Sequence, residues 1–157
     1  MAEMRSFVIE GRLQVRDGER TAAVGLDWQH DVERDAWLFT GPLGQGLARI
    51  EADGRGACMT LADGRRSEAA SAAELGEALL GVEAPFARLP RWVTARPGES
   101  AEVREVDALG RLRRVVDQGW TIEYTEYADE GADALPRKID IHRGDTRLRL
   151  IVDAWNP

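Results

Sequence analysis

The sequence predicts a mainly β chain with two or three short helices (α+β), in which a large, curved antiparallel sheet partly encloses an apolar hollow. Three observations predict it. Hydrophobic residues alternate with period two through both ends of the chain, tight-turn dipeptides separate the alternating stretches, and helical patterning is confined to the middle.

Taking the elements in order, Phe7, Ile9, Gly11, Leu13 and Val15 share one face of a first strand, while Glu10, Arg12, Gln14 and Arg16 take the other. Asp17-Gly18 supplies the positive φ that a two-residue hairpin needs. The return strand sets Val24, Leu26 and Trp28 inward, with Asp27 and Gln29 outward. A strand around Trp37, Leu38 and Phe39 runs into Pro42-Leu43-Gly44, and Asp53-Gly54 and Asp63-Gly64 mark further turns. Ser71 with Glu74 then makes a capping box, backed by a stripe of Leu75, Leu79 and Leu80. Pro85 opens a second short helix carrying Phe86, Leu89, Trp92 and Val93. Pro90 lies inside that stretch and removes a backbone donor, so this helix starts late or kinks. The late strands place Trp120, Ile122 and Tyr124, then Ile139 and Ile141, then Leu148, Leu150 and Val152 on one face. Arg143-Gly144-Asp145 between the last two reads as a hairpin turn, not an adhesion tripeptide. No linker, repeat or low-complexity tract interrupts the 157 residues, so one domain is expected over residues 7–155.

Composition narrows the function. With 43% hydrophobic and 31% charged residues the chain is globular, not disordered. A net charge of −7 argues against nucleic acid, which wants a cationic surface, and against holding anionic lipid by charge alone. No segment approaches the roughly 20 apolar residues of a membrane-spanning helix. The opening Met1-Ala2-Glu3-Met4-Arg5 lacks the apolar core of a secretory signal, so either the chain is cytosolic or a leader and anchor precede it. Cys58, the one cysteine, excludes an intrachain disulfide and leaves the compartment open.

Catalytic and metal-binding patterns are weak, and no catalytic residue, metal ligand or cofactor is expected. The only histidines, His30 and His142, stand at no metal-ligand spacing. Ser6, Ser67, Ser71 and Ser100 lack the strand-to-helix elbow of a hydrolase nucleophile. Gly41 to Gly46 resembles a phosphate loop only superficially, because the following lysine and helix are missing.

The faces themselves suggest a binding role. Two short helices cover only part of a sheet of roughly nine strands, and an apolar sheet face must close on itself or be covered. What remains is a concave, partly lidded hollow, with Trp28, Trp92 and Trp120 as large, rigid wall residues. The competing reading is that these side chains simply fill a core. Leu43 is unusual, because turns ordinarily carry polar residues. Braced between Pro42 and Gly44, it is either tucked into the core or projected toward something apolar, and the residues alone favour tucking.

An ordered set of short motifs runs through nearly the whole chain. It comprises Gly11-Arg12-Leu13, Leu26-Asp27-Trp28-Gln29, Pro42-Leu43-Gly44, Leu89 and Trp92, and Pro97-Gly98. It continues with Gln118-Gly119-Trp120, Tyr124 and Tyr127, Leu135-Pro136, and Leu148 through Trp155. In this set the chain resembles the LolB family of outer-membrane lipoprotein receptors. The resemblance implies an incomplete antiparallel β-barrel whose helices lid an apolar cavity. It implies that acylated lipoproteins are accepted from the periplasmic carrier LolA and inserted into outer-membrane lipid from the periplasmic face. It also implies that Leu43 is exposed and targets the membrane, with Pro42 and Gly44 as its frame, which reverses the preference for tucking. Leu26, Trp28, Leu79, Leu89, Trp92, Trp120, Ile122, Tyr124, Ile139, Leu148 and Leu150 are then the candidates to line the acyl-chain cavity.

Members of that family are anchored through an acylated N-terminal cysteine, which this stretch lacks, and the leading helical segment before Phe7 is short or missing. A leader and anchor outside this stretch explain both most simply; an unanchored relative is the other explanation. The nearest rival function is a soluble periplasmic lipoprotein or lipid carrier resembling LolA. A packed-core interaction protein and an enzyme follow.

Overall fold

In a computed structural model of the chain, residues 6–156 are described, and Met1 to Arg5 lie outside them. Among the described residues eleven strands form one antiparallel sheet. They are β1 (Phe7–Asp17), β2 (Arg20–His30), β3 (Arg34–Thr40), β4 (Gly46–Asp53), β5 (Gly56–Leu61), β6 (Arg66–Ala69), β7 (Ala101–Val106), β8 (Leu112–Asp117), β9 (Trp120–Tyr127), β10 (Pro136–Arg143) and β11 (Thr146–Asn156). Two helices, α1 (Ala72–Leu80) and α2 (Leu89–Val93), separate β6 from β7.

The sheet order is β6-β5-β4-β3-β2-β1-β11-β10-β9-β8-β7. Two meanders are thus joined along β1 and β11, and the helical segment carries the chain from one sheet edge to the other. Tight turns make each meander, as the dipeptides predict. Gly18 (φ 59°) and Gly144 (φ 57°) adopt the left-handed conformation at the β1–β2 and β10–β11 turns. The β8–β9 turn at Gln118-Gly119 and the β7–β8 turn, where Asp107 accepts from the amides of Leu109 and Arg111, raise the strand number above the expected nine.

At the centre, the β1–β11 register shifts between Glu10 and Gly11. A Cβ on residue 11 would stand 2.2 Å from the Ile151 carbonyl oxygen, so the close approach of these two backbones requires glycine.

Ser71 caps α1 by accepting from the Glu74 amide, and Gly81 (φ 73°) ends the helix, its amide donating to the Glu77 carbonyl. The helix packs on β4, β5 and β6. As Pro90 suggests, the second helix starts late: Pro85 to Arg88 are turns, and α2 is five residues long with Pro90 in its first turn.

Candidate functional site

The inner face of the sheet and the helical segment meet in one apolar cluster. Of the predicted lining residues, Leu26, Trp28, Leu89, Trp92, Trp120, Ile122, Tyr124, Ile139, Leu148 and Leu150 are all buried there. Leu79 is only half-buried, and α1 instead turns Leu75, Gly76 and Leu80 inward. The 3.6-residue period, read from three leucines, put one of them a step off the buried stripe.

The open hollow expected from the sequence is filled in this conformation. What is left is about 10 Å³ of free space ringed by Leu13, Leu26, Trp28, Trp37, Ala84, Phe86, Leu89, Ile141, Leu148 and Leu150. Aromatic side chains take up the rest. Trp28 stacks on Trp37 (centroids 5.7 Å), Phe86 meets Trp37 edge-on at 5.2 Å, and Trp92 lies 6.4 Å from Trp120. Phe86 fits because residue 76 is glycine; a Cβ there would come within 2.1 Å of the ring. Periodicity identifies which faces are apolar but not whether facing side chains interdigitate, which is why the hollow was overpredicted.

A larger concavity, about 720 Å³, lies at one end of β2 to β6, but Arg34, Asp35, Arg49, Glu51, Arg66 and Glu68 line it. Those charged walls do not suit hydrocarbon.

A buried carboxylate holds α2 against the sheet. Asp117, at the end of β8, is 1% exposed and accepts hydrogen bonds from Trp92 Nε1 (2.9 Å) and Ser100 Oγ (2.8 Å). Arg88 Nη1 stands 3.5 Å from the same carboxylate. The Tyr124 hydroxyl donates to the Trp92 carbonyl at 2.5 Å. Burial pushes the Tyr124 phenol well above its ordinary pKa. The Tyr127 phenol, which donates to the Leu112 carbonyl, is pushed up to about 12, by burial first and then by the nearby Asp107. The segment roofing the core is thus fixed at Arg88, Trp92 and Ser100.

Leu43 is the most exposed large apolar side chain of the described residues, at 93%. Its loop joins β3 to β4 at the sheet end that also carries the Gly18 and Gly144 turns. The loop is built to hold it out. Gly41 N–H donates to the Gln45 carbonyl, Gly44 N–H to the Gly41 carbonyl, and Leu43 N–H to Gln45 Oε1 at 3.0 Å. Gly44 takes φ 79°, and the Gln45 amide lies where a side chain on Gly41 would be. The tucking favoured by the residues alone is overturned, because these backbone bonds turn the loop away from the core.

His30 and His142 are tied to neighbouring carboxylates, His30 Nδ1 to Asp35 Oδ1 at 2.6 Å and His142 Nε2 to Glu123 Oε1 at 3.0 Å. Asp35 also accepts from Trp28 Nε1. Sequence reasoning missed Trp37, Phe39 and Phe86 as members of the central cluster, and missed Asp117. Trp37 and Phe39 were legible, since they alternate on β3 as Leu26 and Trp28 do on β2. Asp117 was not, since it meets Trp92 across 25 residues of chain.

Taken together, an open eleven-stranded antiparallel sheet packed against a short helical segment defines a protein of the LolA-like fold. A LolA superfamily protein from Nitrosomonas europaea superposes with a TM-score of 0.59 at 10% identity, covering 99% of this chain and 87% of that one. A DUF1329 family protein from Desulfovibrio piger gives 0.60 at 6% identity, covering 97% of this chain and 85% of that one. The sequence narrows the class further. The family description "Outer membrane lipoprotein LolB" matches residues 5–155. The outer-membrane lipoprotein LolB of Azoarcus sp. is 42% identical over 95% of this chain and 77% of its own length. That of Thiobacillus denitrificans is 37% identical over 96% and 80%. The chain belongs to the LolB family.

Proposed function

We propose that this protein is the outer-membrane receptor that accepts acylated lipoproteins from the carrier LolA and inserts them into the outer membrane from its periplasmic side, residues 7–155 acting as one lipoprotein-binding unit. Family membership and the LolA-like fold support the reading, and the outward-held Leu43 carries it over a soluble carrier, which has no need of a leucine fixed in water. The Pro42-Leu43-Gly44 loop is the membrane-targeting element.

The acyl chains enter beneath the helical segment, among Leu26, Trp28, Leu89, Trp92, Trp120, Ile122, Tyr124, Ile139, Leu148 and Leu150, with Leu79 at the margin. About 10 Å³ has room for roughly one water molecule and not for an acyl chain, so uptake requires Phe86 and Leu89 to swing away. Exposing each such side chain costs roughly 1.5–3 kcal/mol, and each buried methylene returns about 0.8 kcal/mol. A handful of methylenes per displaced side chain offsets the cost, and a long acyl chain has more than that. Transfer from carrier to receptor then runs downhill on differential affinity, about 1.4 kcal/mol for each tenfold in partition, without a catalytic group.

Leu43→Glu tests the reading in a reconstituted transfer assay. The variant is expected to take lipoprotein from LolA as the wild type does and to deliver it poorly to vesicles. Wild-type delivery removes Leu43 from the mechanism.

A further inference from the structure

Three tryptophans pair the indole N–H with an acceptor. Trp28 Nε1 donates to Asp35 at 2.9 Å, Trp92 Nε1 to Asp117 at 2.9 Å, and the half-buried Trp155 donates its own to the Pro136 carbonyl at 2.8 Å. Trp37 is 2% exposed, and its Nε1 is the one buried side-chain nitrogen or oxygen among the described residues with no partner. Its ring lines the remaining space, stacked on Trp28 and steeply inclined to Phe86. An unpaired buried donor is costly and calls for an explanation. Water does not supply one, since a buried water needs two or more polar partners and the surrounding wall is otherwise apolar.

We propose that the Trp37 indole N–H is the carbonyl-binding point of the acyl site, donating to the ester or amide oxygen of an entering acyl group once Phe86 moves. This rests on the acyl-binding reading given above and deepens it. Apolar walls grip any hydrocarbon, whereas a donor on Trp37 distinguishes an acyl chain, which carries a carbonyl, from an alkyl chain, which does not. It also fixes depth, because the carbonyl marks where hydrocarbon ends and the linkage begins. The empty donor favours the loaded state, since the bond it lacks when closed is made when the ligand arrives.

The test compares a diacylated cysteine lipopeptide with its dialkyl-ether counterpart on wild type and Trp37→Phe, which keeps an aromatic ring and removes the N–H. Loss of one hydrogen bond is expected to weaken the ester probe about three- to tenfold and to leave the ether probe unchanged. Equal weakening of both probes assigns Trp37 to packing alone and overturns the proposal, as does no change in either. Wild type that binds neither probe overturns the acyl-binding reading itself. Because the smaller ring can loosen the core, wild type is also titrated by NMR. The Trp37 indole proton is expected to shift downfield with the ester and not with the ether, and a stationary resonance overturns the proposal without any variant. A diacyl phospholipid of the same chain length separates the sources. If it reproduces the ester response, the point reads acyl carbonyls in general; if it fails to bind, the point is specific to lipoprotein.

Discussion

Tyr124 and Tyr127 are the only tyrosines in the chain, and both spend their hydroxyl proton on a backbone carbonyl. A phenolate cannot make that bond, and burial disfavours its charge as well. Both folded pKa values therefore lie above the unfolded value near 10, so this contribution to stability is complete below about pH 10. It is lost as pH rises through the folded values, about 12 for Tyr127. In an alkaline titration, phenolate absorbance should stay flat past the ordinary tyrosine range and then rise together with loss of β circular dichroism. A normal titration of one tyrosine in the intact fold would mean that one hydroxyl is not held as described.

At the scale of elements, α2 is too short to be stable alone, and its position depends on its anchors. Asp117→Ala would leave the Trp92 indole and the Ser100 hydroxyl without an acceptor and Arg88 without its counter-charge. The expected cost is about 2–4 kcal/mol, read as a lower urea midpoint. Asp117→Asn keeps an acceptor oxygen and should cost less. If both variants unfold like wild type, Asp117 does not hold the segment. The β3–β4 loop is instead held by hydrogen bonds within five residues, Gly41 to Gln45, with none to the roof segment among them.

For the whole molecule, the opposing terms are a filled core and a ligand that must replace part of it. Phe86 sits where they meet, buried against Gly76, Trp37 and Phe39 yet carried on the connection between α1 and α2 and not on the sheet. Phe86→Ala is expected to lower stability by about 3–5 kcal/mol and at the same time to bind a fluorescent fatty-acid probe more tightly than wild type. A plain core residue would give the first effect without the second. The sheet resists such loosening, because its two meanders are locked by the full-length pairing of β1 with β11 at the centre, while the roof segment bridges the two outer edges.

The sequence by itself determined most of the strands, most of the turns and the sidedness of the sheet. Alternation such as Phe7 to Val15 and dipeptides such as Asp17-Gly18 act over a few residues, where local sterics and water decide the outcome. It also carried the ordered motifs that mark the family. It did not determine whether the apolar faces leave a void, or that Asp117 lies beneath α2. Those belong to the tertiary structure. Free space is what remains after side chains distant in the chain, Trp37, Phe86 and Leu148 among them, have packed together, and no local pattern encodes that remainder.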